Sequence, residues 1–293
     1  MKYSFMKKHE QLFSIERMSR ILKVSRSGYY RFKAALPSNR SLENQRLLEE
    51  IKSIYNASRQ VYGSPRIHAQ LRMEGKQCSR KRVARLMKIA GLEAKTKRRF
   101  KVKTTTGNLL FKKAPNLLEQ CFTAQKPNQR WVADITYVAT AQGWLYVAAI
   151  LDLFSRRIVG LAMNERMTTE LVTRALEQAL KHRKPDEGLI HHSDKGSQYT
   201  SYAFQNTLSK NQITCSMSGV GNCYDNAAME SFFHTLKTEL VYFESYKTRE
   251  QAKQSIFEYV EVFYNQKRIH STLGYLSPVM FEKKWNQQKC LSS

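Results

Sequence analysis

Residues 131–163 read WVADITYVATAQGWLYVAAILDLFSRRIVGLAM, and three β-rich runs stand out in them: WVADITYVA, WLYVAAILDLF and RRIVGLAM. Val, Ile, Tyr and Trp dominate, the residue types that fit a pleated, half-buried surface. The breaks are short and polar, Ala141-Gln142-Gly143 and Ser155-Arg156-Arg157. Connections this short cannot hold a crossover helix, so the three runs form an antiparallel meander.

The elements that follow extend this start. Thr168 to His182 has a helical period, GLIHHSDKG is a fourth strand with a polar end, and Ser201 to Asn211 is helical. ITCSMS is a short fifth strand, and AAMESFFHTLKTEL is a further amphipathic helix. The order β-β-β-α-β-α-β-α is that of a ribonuclease-H-like α/β domain, a mixed five-stranded sheet with flanking helices.

Upstream the composition is different. Residues 1–125 hold 29 Lys and Arg against 8 acidic residues, a net of +21, and no aspartate occurs before Asp134. Residues 126–293 hold 20 against 16, a net of +4. A front half this basic implies a polyanion partner, since Lys and Arg that neutralise phosphates release counterions. Residues 12–35 read as two short helices broken at Val24-Ser25, the length and turn chemistry of a helix-turn-helix, and Pro37-Ser38-Asn39 then breaks the chain. Residues 42–56 are helical. In YGSPRIHAQLRMEG, Ser64 is placed to cap a helix with Pro65 at its first position. A turn at Gly75 and a cap at Ser79 lead into RKRVARLMKIAGL, which stops at Gly91. This second helix-turn-helix sets Arg80, Lys81 and Arg82 at the helix end that usually meets bases or phosphates. A helical bundle with a solvated basic surface is the plainer alternative. The expected division is a small helical helix-turn-helix-like segment over 1–40, a helix-turn-helix DNA-binding domain over 41–95, a basic linker over 96–128, a catalytic core over 129–245 and a C-terminal helical tail over 246–293.

No run of about 18 apolar residues occurs, so no transmembrane helix is expected, and MKYSFMKKHEQLF has no apolar segment long enough for a signal peptide. Five scattered cysteines without a CxxC pair fit reduced thiols in a cytoplasmic protein.

Three carboxylates fall at telling places. Asp134 lies inside the first strand among Val132, Ile135, Tyr137 and Val138, where a charge is costly unless it is paired or binds a metal. Asp194 ends the fourth strand, where ligands gather in α/β sheets. Glu230 lies in the last helix of the core, off its apolar face of Met229, Phe232, Phe233, Leu236 and Leu240. Carboxylates are hard ligands suited to Mg²⁺ or Mn²⁺, and two such ions about 4 Å apart activate an attacking oxygen and stabilise a leaving one in phosphodiester chemistry. Lys237, seven residues beyond Glu230, lies two turns along the same face, within reach of a phosphate. Any one of these residues alone reads as structural or solvated.

The motifs WVADITYV, HHSDKGSQYTS and YDNAAMESFFHTLKTE resemble the integrase core of insertion-sequence-3 family transposases, the product of their second reading frame, with retroviral integrases as more distant relatives. VYGSPRIHAQLRMEG resembles the helix-turn-helix segment before that core, and YNQKRIHSTLGYLSP the family's tail. The resemblance spans nearly the whole chain. It implies a catalytic, metal-holding triad of Asp134, Asp194 and Glu230, two Mg²⁺ ions with Mn²⁺ as a substitute, and Lys237 as the family's downstream basic residue. It implies metal-dependent cleavage at insertion-element ends followed by 3′-OH attack on a phosphodiester. The implied partners are transposon-end and target DNA, a homo-oligomer assembled on DNA and the upstream reading frame's product, with no membrane and a cytoplasmic, nucleoid-associated place in a bacterium. The chain lacks the His-His-Cys-Cys zinc module of retroviral integrases, so no zinc carries over, and it lacks an obvious leucine zipper. Two other readings fit the residues: another ribonuclease-H-like nuclease, such as a structure-selective resolvase, and a DNA-binding regulator whose triad idles without a partner.

Further candidates are weaker. Asp152 in ILDLFSRR caps the hairpin or tunes a metal; of His191 and His192, alternation sends one into the interior and one toward the site. Asp225-Asn226 is placed to cap the Glu230 helix, and Gln198 and Tyr199 are either DNA contacts or ordinary loop residues. Arg66, and Lys267 and Arg268 in NQKRIHSTLGYLSP, are candidate phosphate contacts, with a packing tail as the equal alternative.

Overall fold

The computed structural model describes residues 1–34, 38–95, 114–118, 122–219 and 226–292. Most of the expected basic linker, Pro37, Cys121, Cys223 and Asp225 lie outside the described residues. The chain divides into two compact units, Met1–Ser53 and Ile54–Ser293.

The first unit opens with α1 (Lys2–Lys8), α2 (Ile15–Leu22) and α3 (Arg26–Ala34). The break between α2 and α3 falls at the expected place, with Lys23 in the left-handed region at φ 51°. Met6, Met18 and Tyr29 form the core, with Tyr3, Ile15, Leu22 and Val24 packed against it. Helix α4 (Asn39–Ala57) runs from the first unit into the second.

In the second unit α5 (Ser64–Met73) and α6 (Arg80–Ile89) form the basic helix pair. Ser79 caps α6 by accepting from the Arg82 amide at 3.2 Å. The cap of α5 is Gly63 rather than Ser64, which is the first helical residue and leaves Pro65 one place further in. Pro is still tolerated there, because the first helical N–H groups have no partner within the helix.

The core begins with β1 (Arg130–Thr140), β2 (Gly143–Asp152) and β3 (Ile158–Asn164), then α7 (Thr169–Arg183), β4 (Ile190–Ser193), α8 (Ser197–Thr200), α9 (Tyr202–Lys210), β5 (Thr214–Met217) and α10 (Ala227–Glu239). The sheet order is β3-β2-β1-β4-β5. β1, β2 and β3 pair antiparallel, and β4 and β5 add in parallel. Residues two apart on a strand share a face, and the two faces are covered differently. Trp131 and Ala133 of β1 join Ala148, Ile150, Leu171, Leu176 and Phe204 in a cluster beneath α7 and α9. A Cβ on Gly160 would collide with the Ala175 carbonyl, so glycine is what lets β3 lie this close to α7. The opposite face of β1, which carries Val132 and Asp134, is left to α10.

The tail is a packing element. α11 (Arg249–Glu258) continues as a π-helix over Tyr259–Tyr264, and α12 (Pro278–Ser292) closes the chain. Glu282 of α12 is buried between Arg183 and Arg157, pairing at 2.8 and 2.9 Å, and accepts from the Ser155 hydroxyl at 2.7 Å. Asp152 joins this cluster. It accepts from the amides of Asn128 (2.8 Å) and Phe154 (2.9 Å) and pairs with Arg183 at 3.3 Å, so it holds the end of the β2–β3 hairpin.

Candidate functional site

β4 is short and pairs in parallel with the first three residues of β1, Arg130 to Val132. Val132 pairs with His192 across the parallel ladder. Two residues further along β1 stands Asp134, and just past the end of β4 stands Asp194, near enough for its charge to act on Asp134. Each carboxylate has one hydrogen bond among the described residues. Asp134 Oδ1 accepts from the Ile135 amide at 2.7 Å, and Asp194 Oδ1 from the Gly196 amide at 3.0 Å. Both are half-buried. Burial, the charge of Asp194 and the charge of Glu230 push the Asp134 carboxyl up to about 7. Burial also raises Asp194. A neighbouring carboxylate opposes the ionisation of Asp134. Hard oxygen donors in that state suit a divalent metal ion.

Glu230 lies in the first turn of α10 and is exposed, while Met229, Phe232, Phe233 and Leu236 of the same helix are buried. Its charge reaches Asp134, but among the described residues no three His, Cys, Asp or Glu side chains converge closely enough to hold a metal ion together. The fold thus brings Asp134 and Asp194 together, with Glu230 near enough for its charge to act on Asp134. Lys237 is half-buried, its ammonium 5.1 Å from the centre of the Tyr137 ring. Burial lowers its pKa and Asp134 opposes that shift.

The start of α10 is held by a contact the sequence did not announce. Asn226 was expected to cap the helix through its side chain, but it makes no such bond. Its amide reaches across instead and donates to the Ala133 carbonyl at 3.1 Å. Tyr199 is not a DNA contact: it is 2% exposed, packed edge-on to Phe204 with ring centres 5.4 Å apart. Burial and the two aspartates raise its phenol well above the usual range. Gln198 donates to the Met167 carbonyl at 3.2 Å. Both histidines are fully buried, His191 beside Phe204 and His192 hydrogen-bonded to Ser216 at 2.8 Å.

The expected DNA contacts divide. Arg80 and Lys81 are exposed at the start of α6, with Arg82 partly covered, and Lys267 is exposed. Arg268 is buried, which corrects its place among the phosphate contacts. Its guanidinium grips Glu239 with two bonds of 2.8 and 2.7 Å, and Tyr259 donates to the same carboxylate at 2.7 Å. Arg66 also turns inward, 3.5 Å from Glu239 and stacked over Tyr62 at 5.6 Å. Glu239 explains both, because a buried carboxylate needs cations around it. Neither arginine revealed this partner in the sequence, since Glu239 is 29 residues from one and 173 from the other.

A mixed five-stranded sheet with paired carboxylates on β1 and at the end of β4 defines the ribonuclease-H-like integrase class. Residues 124–223 match the family described as "integrase core domain", residues 230–285 match a second family of the same description, and residues 42–100 match the "HTH-like domain" family. The chain is 42% identical over 286 residues to the transposase InsF of insertion sequence IS3A from Escherichia coli, covering 97% of this chain and 99% of that one. It is 47% identical over 270 residues to an uncharacterised 31 kDa protein of insertion element IS600 from Shigella sonnei, covering 92% and 99%. Among solved structures, the HTLV-2 integrase catalytic core in complex with magnesium aligns at a TM-score of 0.42 and 16% identity, over 54% of this chain and 98% of that one. The chain belongs to the insertion-sequence-3 family of transposases.

Proposed function

We propose that this chain cuts DNA at the ends of an insertion element and joins the freed 3′-OH ends to target DNA. The family supports transposition as the overall activity, and one observation supports the chemistry: Asp134 lies close to Asp194 at the end of β4, and the charges of Glu230 and Lys237 on α10 reach it. Asp134, Asp194 and Glu230 would hold the divalent ions, with Mg²⁺ the natural choice, two per site, and Mn²⁺ a substitute. Bound there, the ions supply Lewis-acid stabilisation of the attacking and leaving oxygens.

The chain's own residues supply the rest. The two aspartates fix the site on rigid strands. The Asn226 amide fixes the start of α10 against β1, and with it the position of Glu230. Lys237 offers a cation to a phosphate oxygen beside the carboxylates. The nucleophile is water in cleavage and the DNA 3′-OH in joining, so no protein side chain forms a covalent bond to DNA. Arg80, Lys81 and Lys267 are exposed cations placed to hold the backbone. The active form is read as a homo-oligomer on DNA, acting in the bacterial cytoplasm and aided by the upstream reading frame's product.

The test is to incubate the full chain with labelled duplexes carrying the element's ends, with Mg²⁺, with and without the upstream product. Nicks that leave 3′-OH ends, followed by joined products, are the expected result. Cutting of branched DNA without end joining would instead identify a resolvase. Binding with no cutting under either condition would identify a regulator.

A further inference from the structure

The N-terminal helices lie ahead of the matched families, which begin at residue 42. α2, the turn Lys23–Ser25 and α3 make a helix-turn-helix of the usual proportions. Each joint is specified. Ser14 opens α2 by accepting from the Arg17 amide at 3.3 Å. Lys23 takes the left-handed conformation, and the Val24 amide closes back on the Ser19 carbonyl at 3.1 Å. Ser25 opens α3 by accepting from the Gly28 amide at 3.0 Å. A Cβ on Gly28 would meet the Tyr3 hydroxyl, so that side chain of α1 lies against α3 at this glycine.

The inner side of α3 is fixed. Tyr29 is buried in the core and donates its hydroxyl to Glu10, which also pairs with Lys33 at 2.9 Å. The outer side carries Arg26, Ser27, Tyr30, Arg31 and Ala34, all exposed. At 3.6 residues per turn these five fall within an arc of about 140°. α3 contains no acidic residue. Lys33 and Arg20 each have a carboxylate partner, whereas Arg26 and Arg31 have no ion-pair partner among the described residues.

We propose that α3 enters the major groove at the element's ends and reads bases there through Arg26, Ser27, Tyr30 and Arg31, as a second recognition module independent of residues 42–100. Duplex DNA is the occupant these residues fit. A helix of this width fills the major groove, and an unpaired arginine presents two donors to the O6 and N7 of guanine. Arg17, exposed in the first turn of α2, is placed for the flanking phosphate. The inference rests on the transposase reading, since it is the element's ends that α3 would read.

The test uses the full-length chain in competition binding at one fixed salt concentration. One duplex carries an element end, and the other is a scrambled duplex of the same length and composition. Arg26→Ala and Arg31→Ala are expected to lose roughly tenfold or more on the end duplex and only about threefold on the scrambled one, as for a lost phosphate contact. Arg31→Lys keeps the charge, so it should bind the scrambled duplex normally and still lose on the end. Replacing guanines of the end with 7-deazaguanine removes the N7 acceptor and needs no protein variant. At the guanine that Arg31 reads, this should weaken the parent chain and leave Arg31→Ala no weaker than before. Equal losses on both duplexes would reduce α3 to a non-specific basic patch. No loss on either would make its outer face solvated or a protein contact, and each of these results overturns the proposal. A parent chain that prefers the ends but never cuts them would count against the transposase reading and leave this one standing.

Discussion

The side-chain amide of Asn226 donates to the backbone carbonyl of Ala133 at 3.1 Å, one residue before Asp134 on β1 and four before Glu230 in α10. One bond thus ties the start of the helix that carries Glu230 to the strand that carries Asp134. Asn226→Ala removes the donor, which costs about 1–2 kcal/mol of stability. End cleavage is expected to fall by more than that loss of folded protein explains, because Glu230 is no longer held in place. Asn226→Asp should cut worse still, since it sets a carboxylate oxygen against a carbonyl oxygen. Melting curves and single-turnover cleavage, measured on the same preparations, check this. Normal cleavage by both variants would reduce the contact to ordinary packing.

Much of the core is legible in sequence because strands alternate and their breaks are short. The meander and the order of elements follow from residues 131–217, with Asp134 inside the first strand and Asp194 at the end of the fourth; that the fourth lies beside the first comes from the structure. What escapes is long-range pairing. Arg268 looks like a surface cation until Glu239 comes to meet it. Asn226 looks like a helix cap because its real partner lies 93 residues away. Tyr199 follows a polar turn, and only the packing of α9 shows that it is buried.

Arg268 gives a direct check on that correction. Arg268→Met strips Glu239 of its best partner and leaves a buried carboxylate, with an expected destabilisation of about 3–5 kcal/mol. The salt dependence of DNA binding, measured below the variant's melting temperature, is expected not to change. A variant that melts normally while its log–log salt slope falls by about one would make Arg268 a phosphate contact after all.

Asp134 gives the pH dependence. Its folded carboxyl titrates at about 7 against an ordinary value of 3.8. The folded chain therefore holds a proton that the unfolded chain has released between those values. Stability contributed by this group is complete below about pH 4 and is lost as pH rises toward 7. Asp134→Asn removes the titration, so in chelator the variant should out-melt the parent at pH 8 by about 1–3 kcal/mol, with the gap narrowing at pH 5. Its cleavage activity should be abolished. A gap that stays constant from pH 5 to 8 would contradict the raised carboxyl.

Glu230 decides between a solvated charge and a working one. Its helix already buries Met229, Phe232, Phe233 and Leu236, so the fold gains nothing from a carboxylate at this exposed position. Glu230→Gln keeps the shape and removes the charge, and a surface change of that kind alters stability by within about 0.5 kcal/mol. A metal ligand so changed loses what holds the cation, so cleavage and joining are expected to fall by orders of magnitude while melting and end binding hold. Lys237→Ala should differ in kind. It removes a cation resting on Tyr137 and the proposed phosphate contact, so it should weaken engagement of the terminal DNA and slow joining without abolishing it. Thermal melting, end binding and strand transfer on both variants beside the parent separate the roles. A Glu230→Gln chain that melts normally and still joins ends at near-parental rate would return Glu230 to the solvated face.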